Sequence, residues 1–565
     1  MLLGRPWQLL LVLGVGLLQP PAFGQAYGRQ GMVTSAHPLA SETGLAILKQ
    51  GGNAVDAAVA TTFAISVVEP FSAGIGGGGF LLLRQNQAGA IRSLDFRERA
   101  PLLAYRNLYL DDRGQVKPNL SRDGYLAVAT PGTIAGLYEV HQRYGKLPWP
   151  LVVRPAARLA RNGFIVSSRL ATAIASRRAL LNNPAGRAIF APGGKPLQTG
   201  DRLIQADLAN TLDTLAKQPQ DFYTGKLAQV IVRDMAAQGG LITLKDLKHY
   251  RPIWRAPVCG NFRVYRICSM PPPSSGGVHL LQMLNLVEDL DFKGLGWHQP
   301  AILHRLIAAM RIAYADRAVY LGDPNFVAVP VAALISPAYA RLRLQEIDPV
   351  QARPFNQIKA ADPATLQRLM QESSETSHLN VVDREKNAVS LTFTVNLGFG
   401  AGVVVPGTGI ILNNEMDDFA IAPDTPNAFG LVGGDANAIA AGKTPLSSMT
   451  PTIVTQNQQL HLVVGSPGGS RIITTVLQVV LNVLAYEMDI QSAIAASRLH
   501  HQWFPDRLYV ERWGFDALTL ADLERRGYQI QMQSAWGNAS GIVQNPDGRL
   551  EGAADPRGEG TAQGY

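Results

Sequence analysis

Cysteine is nearly missing from this chain, with only Cys259 and Cys268 among 565 residues. Two cysteines exclude a disulfide scaffold and a cysteine-based zinc site, and leave room for one bridge or for two buried thiols. They flank Gly260-Asn261 and the β-like run FRVYRI. Spacing alone does not set the Cα separation a bridge requires, so both readings stand. Long apolar runs are scarce as well: beyond the N-terminus no stretch approaches the roughly 18 uninterrupted apolar residues of a membrane span. Val476 to Leu484 comes nearest, but Gln478 and Asn482 interrupt it one helical turn apart, and it reads as a buried helix. H-E-x-x-H, an EF-hand loop and G-x-S-x-G are absent, which removes the zinc-protease, calcium and α/β-hydrolase readings. No cofactor or metal is expected. Basic residues are spread thinly, without clusters or interleaved aromatics, so nucleic acid is not an expected partner.

What is present suits a large globular protein: 47% of residues are hydrophobic and 17% charged. Length alone suggests two to four domains. Arg5, the apolar run Leu9 to Leu18 and Ala22-Phe23-Gly24 read as a secretory signal removed after residue 24. The expectation is a soluble, periplasmic or secreted protein with no membrane span after signal removal. The net charge of +8 is unevenly divided. Up to residue 375 there are 40 Lys+Arg against 25 Asp+Glu, and afterwards 11 against 18, giving +15 and −7. Complementary surfaces within one protein explain such a split better than an interaction tail.

Periodicity predicts helices at 41–50 and 54–67, the first stopped by Gly51-Gly52, then a glycine loop and the strand FLLLR. Further helices are expected at 134–144, 152–162, 206–217, 225–238, 277–290 and 299–318, with β signal concentrated in 378–413 and 452–466. The class is mixed α/β. Gly74-Ile75-Gly76-Gly77-Gly78-Gly79 spells a dinucleotide fingerprint, but it follows a helix and precedes a strand, the reverse of what that site needs, so it reads as a structural loop. Gly442-Lys443-Thr444 lacks the first glycine of a phosphate loop, since Asn437 stands there.

The most informative stretch begins at Glu375. E-T-S-H-L-N-V-V-D, a polar turn near 384–387, and A-V-S-L-T-F-T-V-N predict a hairpin. Alternation puts Ser390, Thr392, Thr394 and Asn396 on one face and Val389, Leu391, Phe393 and Val395 on the other. Such a hairpin would set Thr376 opposite residues 394–396. The polar face reads either as a solvated surface or as a site.

The TSHLNVVD run at Thr376, NNEMDDF at Asn413, PLSSM at Pro445 and GSPGGS at Gly465 resemble the motifs of γ-glutamyltransferases, bacterial type. DFRE at Asp95, PPPSSGG at Pro271 and the SAGIGGGGF loop resemble that family too, in the same order, over nearly all of the mature chain. The resemblance implies an α/β (α+β) N-terminal-nucleophile hydrolase fold, an αββα four-layer sandwich built from two autoprocessed fragments. It implies cleavage of Glu375-Thr376, giving a signal peptide (1–24), a large subunit (25–375) and a small subunit (376–565) that remain together as a heterodimer. Thr376 would then be nucleophile and, through its freed α-amine, its own base. In the intact precursor that nitrogen is an amide and cannot serve.

The implied donor is a γ-glutamyl compound such as glutathione, with water or the amine of an amino acid or peptide as acceptor. By the same resemblance Arg97 grips the α-carboxylate with Ser447 and Ser448, Glu415 and Asp418 receive the α-ammonium, and Asn396 contacts the substrate. Thr394 supports the nucleophile, and Gly468 and Gly469 supply the oxyanion hole. Two departures stand out. Phe429 occupies a lid position where tyrosine is common, so a lid hydroxyl bonded to Asn396 is lost, and Glu415 stands where glutamine also occurs. Ion pairing of Arg97 with Asp95 or Glu98 on the surface and a solvated Asp417-Asp418 turn are the plainer alternatives. Two other functions compete: a related threonine-nucleophile acylase for glutaryl, cephalosporin or poly-γ-glutamate amides, and a non-catalytic secreted solute-binding protein.

Overall fold

The computed structural model describes residues 25–360, 378–422 and 427–565. Fourteen strands build its two large sheets: β1 (Gln25–Gly28), β2 (Met32–Ser35), β3 (Gly78–Gln85), β4 (Ala90–Phe96), β5 (Ile253–Arg255), β6 (Val258–Phe262), β7 (Tyr265–Ser269), β8 (His378–Val382), β9 (Ala388–Thr394), β10 (Thr452–Gln456), β11 (Gln459–Gly465), β12 (Ser540–Gln544), β13 (Leu550–Ala554) and β14 (Thr561–Gly564). One sheet runs β14-β2-β8-β9-β3-β4-β5 and the other β1-β13-β12-β11-β10-β7-β6, and the pairings within both are antiparallel.

Each sheet turns its outer face to helices. Against the first pack α1 (Pro38–Lys49), α2 (Ala54–Val68) and α3 (Thr133–Tyr144), burying Leu81, Leu94, Leu379, Val389, Leu391 and Phe393, with α4 (Trp149–Asn162) lying on α2 and α5 (Ala206–Lys217) on α4. Against the second pack α6 (Gly276–Val287) and α8 (Ile472–Leu484), burying Ile267, Val454, Leu462 and Val464, with α7 (Pro300–Tyr320) lying on α6. Between the sheets, Met32, Leu82, Val382 and Ala388 meet Ile453, Leu460, Val463 and Ile542. The layers are therefore αββα. Each sheet has a large core with its own helices, and a smaller apolar cluster joins the two sheets face to face.

The helices lie where periodicity set them, with ends shifted by a few residues. α2 starts on a capping box in which Asn53 and Asp56 bond each other's backbone, and it is buried all round, as an Ala/Val-rich helix between neighbours must be. α8 is buried throughout, and the two polar residues that broke its run are satisfied inside the protein: the Gln478 amide donates to the carbonyls of Thr474 and Leu499, and Asn482 donates to that of Ala493. No helix among the described residues is long and apolar enough to cross a membrane.

Cys259 and Cys268 face each other across β6 and β7, with Cα atoms 4.2 Å apart, and form a disulfide. The hairpin register settles what spacing left open.

Candidate active site

The hairpin at 378–394 is the centre of the first sheet. β8 and β9 pair His378 with Thr392 and Val382 with Ala388, closed by a turn in which Lys386 N–H donates to the Asp383 carbonyl. The alternation is as the sequence indicates, but the polar face is not solvated. Ser390, Thr392 and Thr394 are all buried, because that face looks into the gap between the sheets while Val389, Leu391 and Phe393 look toward α2.

A buried polar seam results. The Asn380 amide donates to Thr34 Oγ1 at 3.2 Å and to the Ser540 carbonyl at 3.0 Å, which leaves Asn380 Oδ1 to accept. It accepts from Ser390 Oγ at 3.1 Å and lies 2.8 Å from His378 Nε2, so the imidazole carries its proton on Nε2. His378 Nδ1 then accepts from Thr392 Oγ1 at 3.1 Å. Burial lowers the His378 pKa to about 3, against a smaller opposing effect of the Asn380 bond, and the ring is a neutral structural element. Its edge fills the space in which Gly465 would carry a side chain, so the hairpin and the GSPGGS segment are fitted to each other. Thr376 and Glu375 lie outside the described residues.

Thr394 and Asn396 come together as expected: Asn396 N–H donates to Thr394 Oγ1 at 2.7 Å. The Asn396 side-chain amide donates to the Asn414 carbonyl at 3.0 Å, tying the end of β9 to the NNEMDDF run. The glycine loop before β3 is structural. Gly76 bridges to Leu412 and its carbonyl accepts from the Asn413 amide at 2.9 Å, while a side chain at Gly77 would collide with the Thr394 carbonyl.

Arg97 stands at the end of β4 with its guanidinium wholly buried. Nη1 lies 2.6 Å from Glu415 Oε1 and Nη2 lies 2.7 Å from Asp418 Oδ2, so the arginine engages one acid with each arm. Asp95 is not its ionic partner: Asp95 accepts from the Arg97 backbone N–H and pairs with Arg255. Glu98 is buried beside the cluster, 4.0 Å from Arg97 Nη1, and packs on Gly78, where a Cβ would overlap its carboxyl group. Burial pushes the Glu98 pKa up to about 7, outweighing the attraction of Arg97.

The two neighbouring aspartates divide the work. Asp417 accepts from Ser121 Oγ at 2.6 Å and from the Ala428 N–H at 2.9 Å, tying a loop to the 427–431 segment, whereas Asp418 faces Arg97. Both are buried, so this is no solvated turn.

Ser447 and Ser448 are held by their backbone. The Ser447 carbonyl accepts from Ser275 Oγ at 2.9 Å, and Ser274 Oγ donates to the Met449 carbonyl at 2.5 Å, so PLSSM is clamped against PPPSSGG. The hydroxyls of both serines are buried and without a hydrogen-bond partner among the described residues. A buried hydroxyl left unmatched costs about 1–3 kcal/mol, which suits groups reserved for a ligand.

Gly468 and Gly469 form the turn between β11 and α8, with φ of 136° and 58°, backbone that an L side chain rarely adopts. The Phe429 ring lies on Gly469, so closely that a methyl there would overlap it. The Lys443 ammonium turns to the backbone, donating to the carbonyls of Ala436 and Ala438 at 2.8 and 2.9 Å, and burial lowers its pKa to about 8. Sequence reasoning missed the roles of His378 and Asn380. Both stand in the quoted TSHLNVVD run, but only the sheet-to-sheet gap shows them to be interior.

Two facing antiparallel sheets between helix layers, with a polar hairpin and a glycine turn meeting in the gap, define the N-terminal-nucleophile hydrolase fold. A solved cephalosporin acylase from Bacillus halodurans superposes with a TM-score of 0.85 at 29% identity, covering 98% of this chain and 99% of the other. A Helicobacter pylori gamma-glutamyltranspeptidase chain gives 0.57 at 46% identity, covering 58% of this chain and 94% of that one. Over 552 residues the sequence is 46% identical to a glutathione hydrolase proenzyme of Escherichia coli, covering 95% of this chain and 94% of the relative. A gamma-glutamyltranspeptidase family model matches residues 40–565. The chain belongs to the gamma-glutamyltranspeptidase family.

Proposed function

We propose that this protein is an exported proenzyme that cuts itself between Glu375 and Thr376 and then breaks γ-glutamyl amide bonds of glutathione and related compounds. Residues 25–375 and 376–565 become the large and small subunits of one heterodimer after loss of residues 1–24. The register of His378 with Thr392, extended by two residues, would bring position 376 opposite Thr394. The Thr376 hydroxyl attacks the γ-carbonyl and its α-amine, with a reference pKa of about 7.7–8.0, takes the proton. The developing oxyanion is held by the N–H groups of Gly468 and Gly469. Collapse expels the amine, which leaves with the proton, and forms a γ-glutamyl ester on Thr376. Water resolves the ester by hydrolysis; an amino-acid or peptide amine resolves it by transfer.

One observation carries the substrate assignment: a buried arginine between two acids, with two unmatched buried serine hydroxyls in the same set of converging motifs. A free amino acid head group carries one positive and one negative charge on a single carbon. It can insert into a pre-existing pair, its carboxylate shared by Arg97, Ser447 and Ser448 and its ammonium by Asp418 and Glu415, so that no buried charge is left alone. The acylase reading finds support in the Bacillus halodurans relative. A glutaryl group would carry no ammonium for Asp418 and Glu415 to receive, so their role would be limited to pairing with Arg97.

N-terminal sequencing of purified protein tests the proposal. The expected result is a second chain beginning Thr-Ser-His, with Thr376→Ala giving one uncut and inactive chain. An undivided protein that turns over γ-glutamyl-p-nitroanilide would overturn it, and faster release from glutaryl-p-nitroanilide would favour the acylase.

A further inference from the structure

The glycine turn proposed to hold the oxyanion is not stiff on its own account, since Gly468 and Gly469 have no side chains to anchor it. What holds it comes from the next residue and from two distant elements. Ser470 Oγ donates to Gln502 Oε1 at 2.8 Å, and the Ser470 carbonyl accepts from the Tyr314 hydroxyl on α7. The other end of Gln502 reaches the segment that carries Phe429. Its Nε2 donates to the Gly430 carbonyl at 3.0 Å, the Phe429 carbonyl at 3.3 Å and the Phe504 carbonyl at 3.3 Å. Three carbonyls can only accept, so the orientation of the amide is determined. Its oxygen therefore faces Ser470, and His500 Nε2, 3.0 Å away, donates to it as well.

We propose that Gln502 is a positioning residue that locks the Gly468-Gly469 turn to the Phe429-Gly430 backbone, so that the oxyanion donors and the ring covering them are set by one side-chain amide. This rests on the γ-glutamyl hydrolase and transferase reading above and goes further by naming what holds its oxyanion donors in place. The lost tyrosine hydroxyl at position 429 then matters less, because the segment is held through its backbone carbonyls by a side chain outside the segment. Gln502 is buried and joins groups far apart in sequence, from residue 314 to residue 502. The titratable and charged groups around it are His500, Tyr314, Tyr509, His501 and Arg471. Burial lowers the His500 pKa to about 3, so that ring stays neutral throughout the working range.

The test uses the full-length, autocleaved protein and γ-glutamyl-p-nitroanilide. Gln502→Ala should lower kcat at least tenfold and move KM less than threefold, since oxyanion contacts strengthen only in the transition state. Ser470→Ala should act similarly, and the double variant should be little worse than either single one, because both break one tie. Gln502→Glu supplies a readout that a role in stability would not move. As a neutral acid it can still donate to Gly430 and accept from Ser470, whereas as a carboxylate it turns an acceptor toward three carbonyls. Its kcat relative to wild type should therefore fall at least fivefold between pH 5.5 and pH 8.5. A flat ratio, wild-type kcat in Gln502→Ala, or loss of folded protein in both Gln502 variants would overturn the inference. An inactive wild-type protein would sink the underlying reading, whereas an active one with indifferent Gln502 variants would sink this inference alone.

Discussion

Around Arg97 the protein works with side-chain charge, and around Gly468-Gly469 it works with backbone. The first region gathers Arg97 and Glu98 from before residue 375 and Glu415 and Asp418 from after it, all buried. The second region has no charge at its centre, and its supports, Ser470, Gln502, Tyr314 and His500, are neutral. Charge selects a zwitterionic head group but must be matched wherever it is buried. A backbone turn stabilises a transient oxyanion without leaving a charge behind when the substrate departs. Under the proposed function, recognition and chemistry place opposite demands on the protein, and they fall to different groups of residues.

The largest effect expected from breaking this division is at Arg97. Arg97→Ala leaves two or three buried acids without their cation, and kcat/KM for a γ-glutamyl anilide should fall on the order of 10³-fold, with stability lowered by about 3–5 kcal/mol. Steady-state kinetics with a thermal melt check both. Retention of activity would mean that the pocket does not hold the head group. Gly469→Ala probes the other region: at φ 58° and under Phe429 the methyl distorts the turn, and kcat should drop by about 10²-fold with KM nearly unchanged. A rise in KM alone would place the turn in binding rather than catalysis.

Glu98 sharpens the charged side of the comparison. Its pKa is raised to about 7 in the folded protein, from an ordinary value of 4.5, so between those pH values the folded state binds more proton than the unfolded chain. Its contribution to stability is therefore most favourable below pH 4.5 and declines as pH rises toward 7. Glu98→Gln should flatten the denaturation midpoint across that window, and an unchanged pH slope would show that Glu98 carries no raised pKa. The smallest effect is at the disulfide, which lies on the edge hairpin of the second sheet and outside both regions. Replacing Cys259 and Cys268 by serine should lower Tm by a few degrees and leave kcat unaltered.

Much of this was readable in the residues. Helix positions followed from apolar periodicity, and the β8–β9 hairpin with its alternating faces followed from period two. The reading of the glycine loop as structural also follows, since Gly76 bridges to Leu412 and Gly77 abuts the Thr394 carbonyl on β9, and Lys443 donates to backbone carbonyls. The charge split also has a structural counterpart. Arg29–Asp547, Arg97–Glu415, Arg122–Asp417 and Arg311–Asp506 each join a base before residue 375 to an acid after it. Less readable was which polar groups are interior: a strand of serines and threonines has the same pattern whether water or a second sheet lies against it.

Local pattern alone determined the helices, the hairpin and the motif segments, because backbone sterics and the alternation of side chains act over a few residues. Only the tertiary structure decided that the polar face of β9 is buried, that Arg97 pairs with Glu415 and Asp418, and that Gln502 holds the glycine turn. Each of these depends on the distance between groups up to several hundred residues apart, and that distance is set by how two sheets and their helices pack.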